Sequence, residues 1–380
     1  MGSISHAVLL VTSVGTIFIS IFLAWFLEGR ATVNTRFRRF FPVYNTYFST
    51  IRDAQCSSWY SLQGQDYNNR SAITGPCPEL LNCILQSTSE AVKGNMTSAT
   101  ILLGLMPTIL ISLSSPITET ALLAKRRPLL AFLLACGSPA VSPVQSFSYP
   151  DPVQYLQPHP HGIYARRRLA SMGAAPAALL VCAEYLVALG ALANVAETAY
   201  RAGLLTVNTV ACNDDHYPIL WVVFNVPVHF ASVLALALQT ETGGEGQEGR
   251  PEGKGKGMGK GKGMGGRLRR LGLCLPSFGR GALRRRLGDE FSLCIRQERL
   301  RMRLRDATLR FTLWWCFTSI VIVAYVAYGT VVFSSLAFIG YLDALTIMAR
   351  IMASAVACRM ILMFELGGLR NATAVPFGLA

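Results

Sequence analysis

An all-α fold, a polytopic transmembrane helix bundle, is what this sequence predicts, and three observations predict it. Of 380 residues, 52% are hydrophobic and only 15% are charged, whereas an ordinary soluble domain carries about a quarter charged residues. The mean hydropathy is +0.38. Several stretches approach the roughly 20 apolar residues that a helix needs to cross about 30 Å of hydrocarbon. These runs are continuously apolar rather than alternating with period two, which selects helices over a barrel. The expectation is about six spans plus a short re-entrant helix.

The first span is read at residues 7–27, AVLLVTSVGTIFISIFLAWFL, which contains no charge. It has neither a basic leader nor a small-residue cleavage site, so it reads as a retained anchor within an N-terminal unit, 1–28. Further runs follow at 98–115, 175–196 and 218–238, then at 311–333 and, more polar, at 336–357. Residues 129–141, bounded by Pro128 and Pro143, are short for a crossing. A run of that length is more often re-entrant or interfacial. Trp221, Trp314 and Trp315 fall near span ends, which suits either the headgroup level or a buried core.

The net charge of +14 is unevenly placed. Residues 250–310 hold 18 Lys and Arg against five acids, so this region alone carries +13. Within it, 253–264 repeats GKGKGM twice. Glycine at alternate positions leaves nothing to bury, so 239–310 is expected to be a disordered basic cytoplasmic loop between a 98–238 helix bundle and a C-terminal hairpin, 311–366, with 367–380 as a tail. The arginine-rich part, 267–310, is expected to meet anionic lipid headgroups of the bilayer. No aromatic stacking platform accompanies the basic residues, so no specific nucleic acid is expected.

Two arrangements of the N-terminal third fit the charges. In one, loop 29–97 is extracytoplasmic, 129–141 is re-entrant, and Lys125, Arg126 and Arg127 lie inside; in the other, 129–141 crosses and the loop is cytoplasmic. Cysteines and sequons favour the first. Cys56, Cys77, Cys83 and Cys212 would then share an oxidising compartment, an even number suited to two disulfides whose pairing stays open. Asn69 and Asn95 head candidate glycosylation sequons in the same loop. No CxxC and no histidine pair at ligand spacing occurs, so no metal and no cofactor is expected.

Residues 55–97, QCSSWYSLQGQDYNNRSAITGPCPELLNCILQSTSEAVKGNMT, with ILLGLMPTIL, RRPLLAFLLACGSPAVSP and FSYPDP after them, resemble a group of multi-pass integral membrane proteins of filamentous (ascomycete) fungi. The resemblance implies a membrane location and implies no activity. A second one is local: His159-Pro160-His161-Gly162 resembles the signature of the diacylglycerol and monoacylglycerol acyltransferases. It implies His161 as the base that activates an alcohol and Gly162 as the point of backbone approach to a thioester. Here a membrane helix follows instead of a catalytic domain, and Arg166, Arg167 and Arg168 mark the segment as a juxtamembrane connector. No catalytic residue is assigned.

Ionisable and amide side chains inside apolar runs are the remaining pointers, because each costs at least ~2.5–3.5 kcal/mol in hydrocarbon unless paired or wet. Glu184 lies mid-way along 175–196, and Asn225 and His229 share a face of 218–238 around Pro227. Asp343 and Arg350 lie seven apart, with Ala349, Ala353 and Ala357 as a packing seam, and Glu184 with Arg350 is the expected pair. The leading expectation is a non-enzymatic integral membrane protein acting as a scaffold, sensor or handler of a small molecule. The alternatives are a secondary transporter using Glu184, His229, Asp343 and Arg350, and an acyltransferase through His161.

Overall fold

The computed structural model describes residues 37–65, 75–142, 172–210, 212, 214–242, 288–297, 302–304 and 309–373. The span expected at 7–27, the sequon at Asn69, the His159–Gly162 segment and the glycine-lysine repeat lie outside the described residues.

Three short helices come first: α1 Asn45–Ala54, α2 Ser57–Gln65 and α3 Pro76–Gln86. Then come α4 Glu90–Leu113, α5 Ile117–Ala124 and α6 Pro128–Gly137. The long helices α7 Ala174–Leu205, α8 Tyr217–Gln239, α9 Leu309–Ser334 and α10 Tyr341–Thr373 complete the bundle. Among the described residues strand is limited to two antiparallel pairs, β1 Val207–Asn208 with β4 Leu336–Ala337, and β2 Thr240–Thr242 with β3 Met302–Leu304. Among the described residues five helices, α4 and α7 to α10, are long and apolar enough to cross a membrane. The chain is an all-α polytopic bundle.

One end of the bundle carries a layer tied by cysteines. Cys56 is bonded to Cys83 and Cys77 to Cys212, with Cα atoms 6.0 Å apart in each case. The second bond ties α3 to the α7–α8 connection, a separation of 135 residues. Under this layer Phe37, Phe40 and Phe48 pack on Phe338, with ring centroids 5.0–6.0 Å apart. Phe338 has φ 64°, a conformation a bulky residue adopts only when its surroundings impose it. Its complete burial in this aromatic cluster supplies that constraint.

The same layer explains why helix starts depart from the apolar runs. Residues 336–340 do not open a helix: Leu336 and Ala337 pair with β1, and α10 begins at Tyr341 and continues to Thr373. The span expected at 336–357 is therefore displaced towards the C-terminus, and most of the expected tail boundary with it. On α10 the buried stripe is Ala344, Ile347, Ile351, Ala355, Cys358 and Leu362, while Ala349 and Ala353 face outward. The alanine seam is thus corrected by larger residues a few positions away that fill the core. At the other end of the list, α4 starts eight residues before the apolar run at 98. Asn95 lies inside that helix and its Oδ1 accepts a bond from the Tyr341 backbone N–H at 2.9 Å, so this sequon is part of a helix–helix joint rather than of a loop.

Trp221 is a core residue, fully buried, stacked on Tyr325 at 5.5 Å and 10° and set edge-on to Phe333. Such aromatic pairs are worth ~0.5–1.5 kcal/mol beyond area burial. Gly329 of α9 is what lets the indole in, because a Cβ there would overlap Trp221 Nε1.

The basic loop is also more structured than its composition suggests. Residues 288–297 dock on the end of the bundle opposite the cysteine layer: the Cys294 N–H donates to Glu365 at 3.1 Å, and Arg296 donates to the Met172 carbonyl. Leu293 and Cys294 are buried there. This apolar pair, set within a charged run, is what the expectation of a wholly disordered, lipid-facing 239–310 segment overlooked.

If the Cys77–Cys212 bond ties the layer to the bundle, Cys77→Ser and Cys212→Ser each lower stability by the same amount, roughly 2–5 kcal/mol. Thermal unfolding in detergent is expected to show the double variant no worse than either single one; additive losses would contradict the bond.

Candidate functional site

Helices α4, α5 and α6 form a broken crossing followed by a half-length return. Gly104 of α4 lies against Ser334, the last residue of α9, so only about 13 Å of α4 remains beyond that level. The helix ends at Leu113, and Ser115-Pro116 interrupts it before α5. Pro116 has no N–H to continue the ladder. α5 carries the chain on to Lys125, Arg126 and Arg127; α6, only 10 residues or about 15 Å long, then brings it half-way back. The two interrupted ends meet in a bridge between Ser115 and Val141. The run at 129–141 is therefore a re-entrant half-helix.

Depth follows from what these ends touch. Asn225 lies eight residues, about 12 Å, into α8, and its side-chain amide donates to the Ser138 carbonyl at 3.0 Å and to that of Ala135. Tyr325 lies nine residues before the end of α9 and its hydroxyl donates to the Pro139 carbonyl at 2.9 Å. Both contacts put the end of α6 near the middle of the crossing. Non-helical backbone at that depth is tolerated only where protein or a wet cavity satisfies it, and here a side chain of each neighbouring span does so.

A cavity of about 40 Å³ opens beside this junction, enough for on the order of three waters. Its wall includes Ser115, Thr120, Ser138, Asn225, His229 and Arg359. His229 is 4% exposed and its Nδ1 has no hydrogen-bond partner among the described residues. Arg359 is paired at 2.6 Å with Glu119 of α5, and Arg370 lies 3.8 Å from the same carboxylate.

The tip of the hairpin is fixed by a second polar cluster. Arg127, fully buried, pairs with Glu184 of α7 at 2.6 Å and with Glu365 of α10 at 3.1 Å. Its Nε donates to the Glu290 carbonyl at 2.9 Å, and its Cζ lies 5.5 Å from the Tyr185 ring. The Glu290 carboxylate accepts from Tyr185 Oη at 2.6 Å and from the Leu130 N–H at 3.0 Å. The Glu184 and Glu365 carboxylates supply the opposite charge that a buried guanidinium needs.

Of the residues singled out from sequence, Asn225 and His229 come together at the cavity. Glu184 does not meet Arg350. Helices α7 and α10 run antiparallel, which sets Arg350 beside Asn194, at 2.8 Å, and Glu197, and sets Glu184 beside Glu365. Ten to thirteen residues of helix, about 15–20 Å, separate the two levels. Glu184 consequently belongs to the far end of the crossing, about 30 Å from the β1 end of α7, rather than to its middle. Asp343 is at the other end, accepting from the Val43 N–H at 3.3 Å in the cysteine layer.

Arg127, Glu119, Arg359 and Glu365 were not read as site residues. Arg127 had served only as a topology marker, and Arg359 and Glu365 fell beyond a span drawn to end at 357. Glu119 alone gave a signal, a carboxylate in the apolar run ITETALLA next to a basic triplet. Among the described residues no three His, Cys, Asp or Glu side chains form a group that could hold a metal ion. Comparison with protein-family models, with curated proteins and with solved structures finds no match.

Breaking a buried pair by removing one partner costs ~3–5 kcal/mol, because an uncompensated charge stays behind. Arg127→Met is therefore expected to destabilise the protein by that amount, and Glu184→Gln, which leaves Glu365 on the guanidinium, by clearly less; fluorescence-detected thermal unfolding with equal losses would contradict the cluster. Loss of the Glu290 carboxylate in Glu290→Ala loosens residues 288–297, so Cys294, now fully buried, becomes more reactive to maleimide in mass-spectrometric peptide mapping. Unchanged labelling would refute the docking.

Proposed function

We propose that the protein handles a small solute, passing it across the membrane through the cavity at the α5–α6 junction. One observation carries the reading: two helix interruptions, at Ser115-Pro116 and at Ser138–Val141, and the proline-bearing helix α8 converge at mid-depth on a cavity whose mostly apolar wall carries Ser115, Thr120, Asn225, His229 and Arg359. Discontinuous helices whose ends line a cavity near the midplane are the arrangement by which membrane proteins expose backbone and polar groups to a solute. A bundle serving only as a scaffold gains nothing from these breaks, each of which leaves backbone groups to be satisfied by side chains in hydrocarbon.

Orientation follows from charge and redox chemistry. The disulfide layer faces an oxidising compartment, and the basic charge of the 250–310 stretch favours the cytosol and its anionic lipids.

The test uses a native thiol. Cys358 lines the cavity, so methylthiolation by a small membrane-permeant reagent adds bulk after the protein has folded. Proteoliposomes assayed by light scattering for small-solute entry are expected to exceed protein-free vesicles, to lose that excess on methylthiolation, and to keep it in reagent-treated Cys358→Ala. Entry no faster than in empty vesicles, or entry indifferent to the modification, sinks the reading.

A further inference from the structure

We infer that the mid-depth cavity is a binding site for a small monovalent anion, an inference that rests on the solute-handling reading above and names its substrate class. Among the described residues that line the cavity, Arg359 alone carries a charge. A guanidinium on the wall of a narrow passage opposes cations. Behind the wall Arg359 is paired with Glu119 at 2.6 Å, and Arg370 approaches the same carboxylate at 3.8 Å.

The backbone points the same way. Ile117 and Thr120 on the wall lie in the first turn of α5, with Ser115 just before it, and the dipole of a helix favours negative charge at this end. At the end of α6 the opposite polarity would arise, since free carbonyls repel an anion. There the carbonyls of Ala135 and Ser138 are already occupied by the Asn225 amide. What remains on the wall is the Arg359 guanidinium, shared with Glu119, and Ser115; the Thr120 hydroxyl donates to the Ile117 carbonyl at 2.9 Å. His229 is the second, independent sign of a ligand. It lines the cavity, it is 4% exposed, and its Nδ1 finds no hydrogen-bond partner among the described residues. A buried polar atom left unpaired costs ~1–3 kcal/mol, and a bound group in the cavity would relieve it. The space within it, about 40 Å³, suits an ion of a few heavy atoms.

The probes are the sodium salts of chloride, nitrate and formate, compared with gluconate and with neutral urea at constant ionic strength. Thermal unfolding of the purified full chain in detergent is expected to shift upward with the small anions and not with gluconate or urea, and valinomycin-driven proteoliposomes are expected to take them up. Removing both partners in the double variant Glu119→Gln/Arg359→Gln avoids stranding a buried charge; it is expected to fold and to lose about tenfold in affinity, which corresponds to about 1.4 kcal/mol. Arg359→Lys is expected to retain part of the binding. Anion-induced shifts without uptake would support the site and overturn the transport reading. Urea or water passage with no anion shift would overturn the anion site and leave the transport reading standing, and anion shifts equal to wild type in the double variant would overturn the assignment to this wall.

Discussion

The position of Arg127 between Glu184 and Glu365 is the interaction on which the rest of the bundle depends. The α5–α6 hairpin is too short to span a bilayer and has no second anchor beyond the membrane, so something must hold its tip level with the far ends of α7 and α10. The guanidinium reaches both helices at once and donates a third bond to the Glu290 carbonyl, which also draws residues 288–297 over the cluster. An arginine in this setting is not replaceable by a hydrophobic side chain at low cost unless its carboxylates go too, because burial penalises whichever charge is left alone.

With the tip fixed, the other end of the hairpin falls at mid-depth, and the consequences are structural before they are functional. Backbone that leaves helical geometry in hydrocarbon must be satisfied by the protein. Asn225 and Tyr325 supply that satisfaction to the α6 end. These are amide and phenol groups placed where leucine would otherwise be favoured, which gives them a local reason to exist. The cavity is what remains between the satisfied carbonyls, the start of α5 and the Glu119–Arg359 pair. Its polarity is therefore a product of the helix breaks rather than an addition to them.

Much of this frame was legible in the sequence, for reasons that can be named. Spans at 218–238 and 311–333 match α8 and α9 within two residues at each end, and 175–196 finds the start of α7 but stops nine residues short of its end, because hydrocarbon length and continuous apolarity leave little choice for the buried part alone. The four cysteines could be grouped because, of the two arrangements the charges allow, the one favoured by cysteines and sequons puts all four in one oxidising compartment. Asn225 and His229 could be placed on one face because four residues make about one helical turn. Partnership was another matter. Glu184 and Arg350 each lie on a correctly read helix, yet which residues meet is set by the vertical offset of α7 against α10, a quantity that no local pattern contains. The start of α10 was misplaced for a similar reason: Leu336 and Ala337 are as apolar as any helix residue and differ only in having strand partners, Asn208 and Val207, far earlier in the chain. Arg127 went unread because a basic triplet beside an apolar run ordinarily marks the membrane surface.

The central claim is that the chain turns back at the membrane face and ends α6 in the middle of the bundle, beside the break between α4 and α5. Disulfide cross-linking of cysteines introduced at Ser115 and Val141, in a chain lacking Cys136 and in native membranes, tests it most directly. The account predicts rapid, near-complete bond formation with mild oxidant, since the two backbones are bridged at that point. No cross-link at 115–141, with Val141 instead labelled by an impermeant reagent from one side of the membrane, would mean that residues 129–141 cross the bilayer and would contradict it.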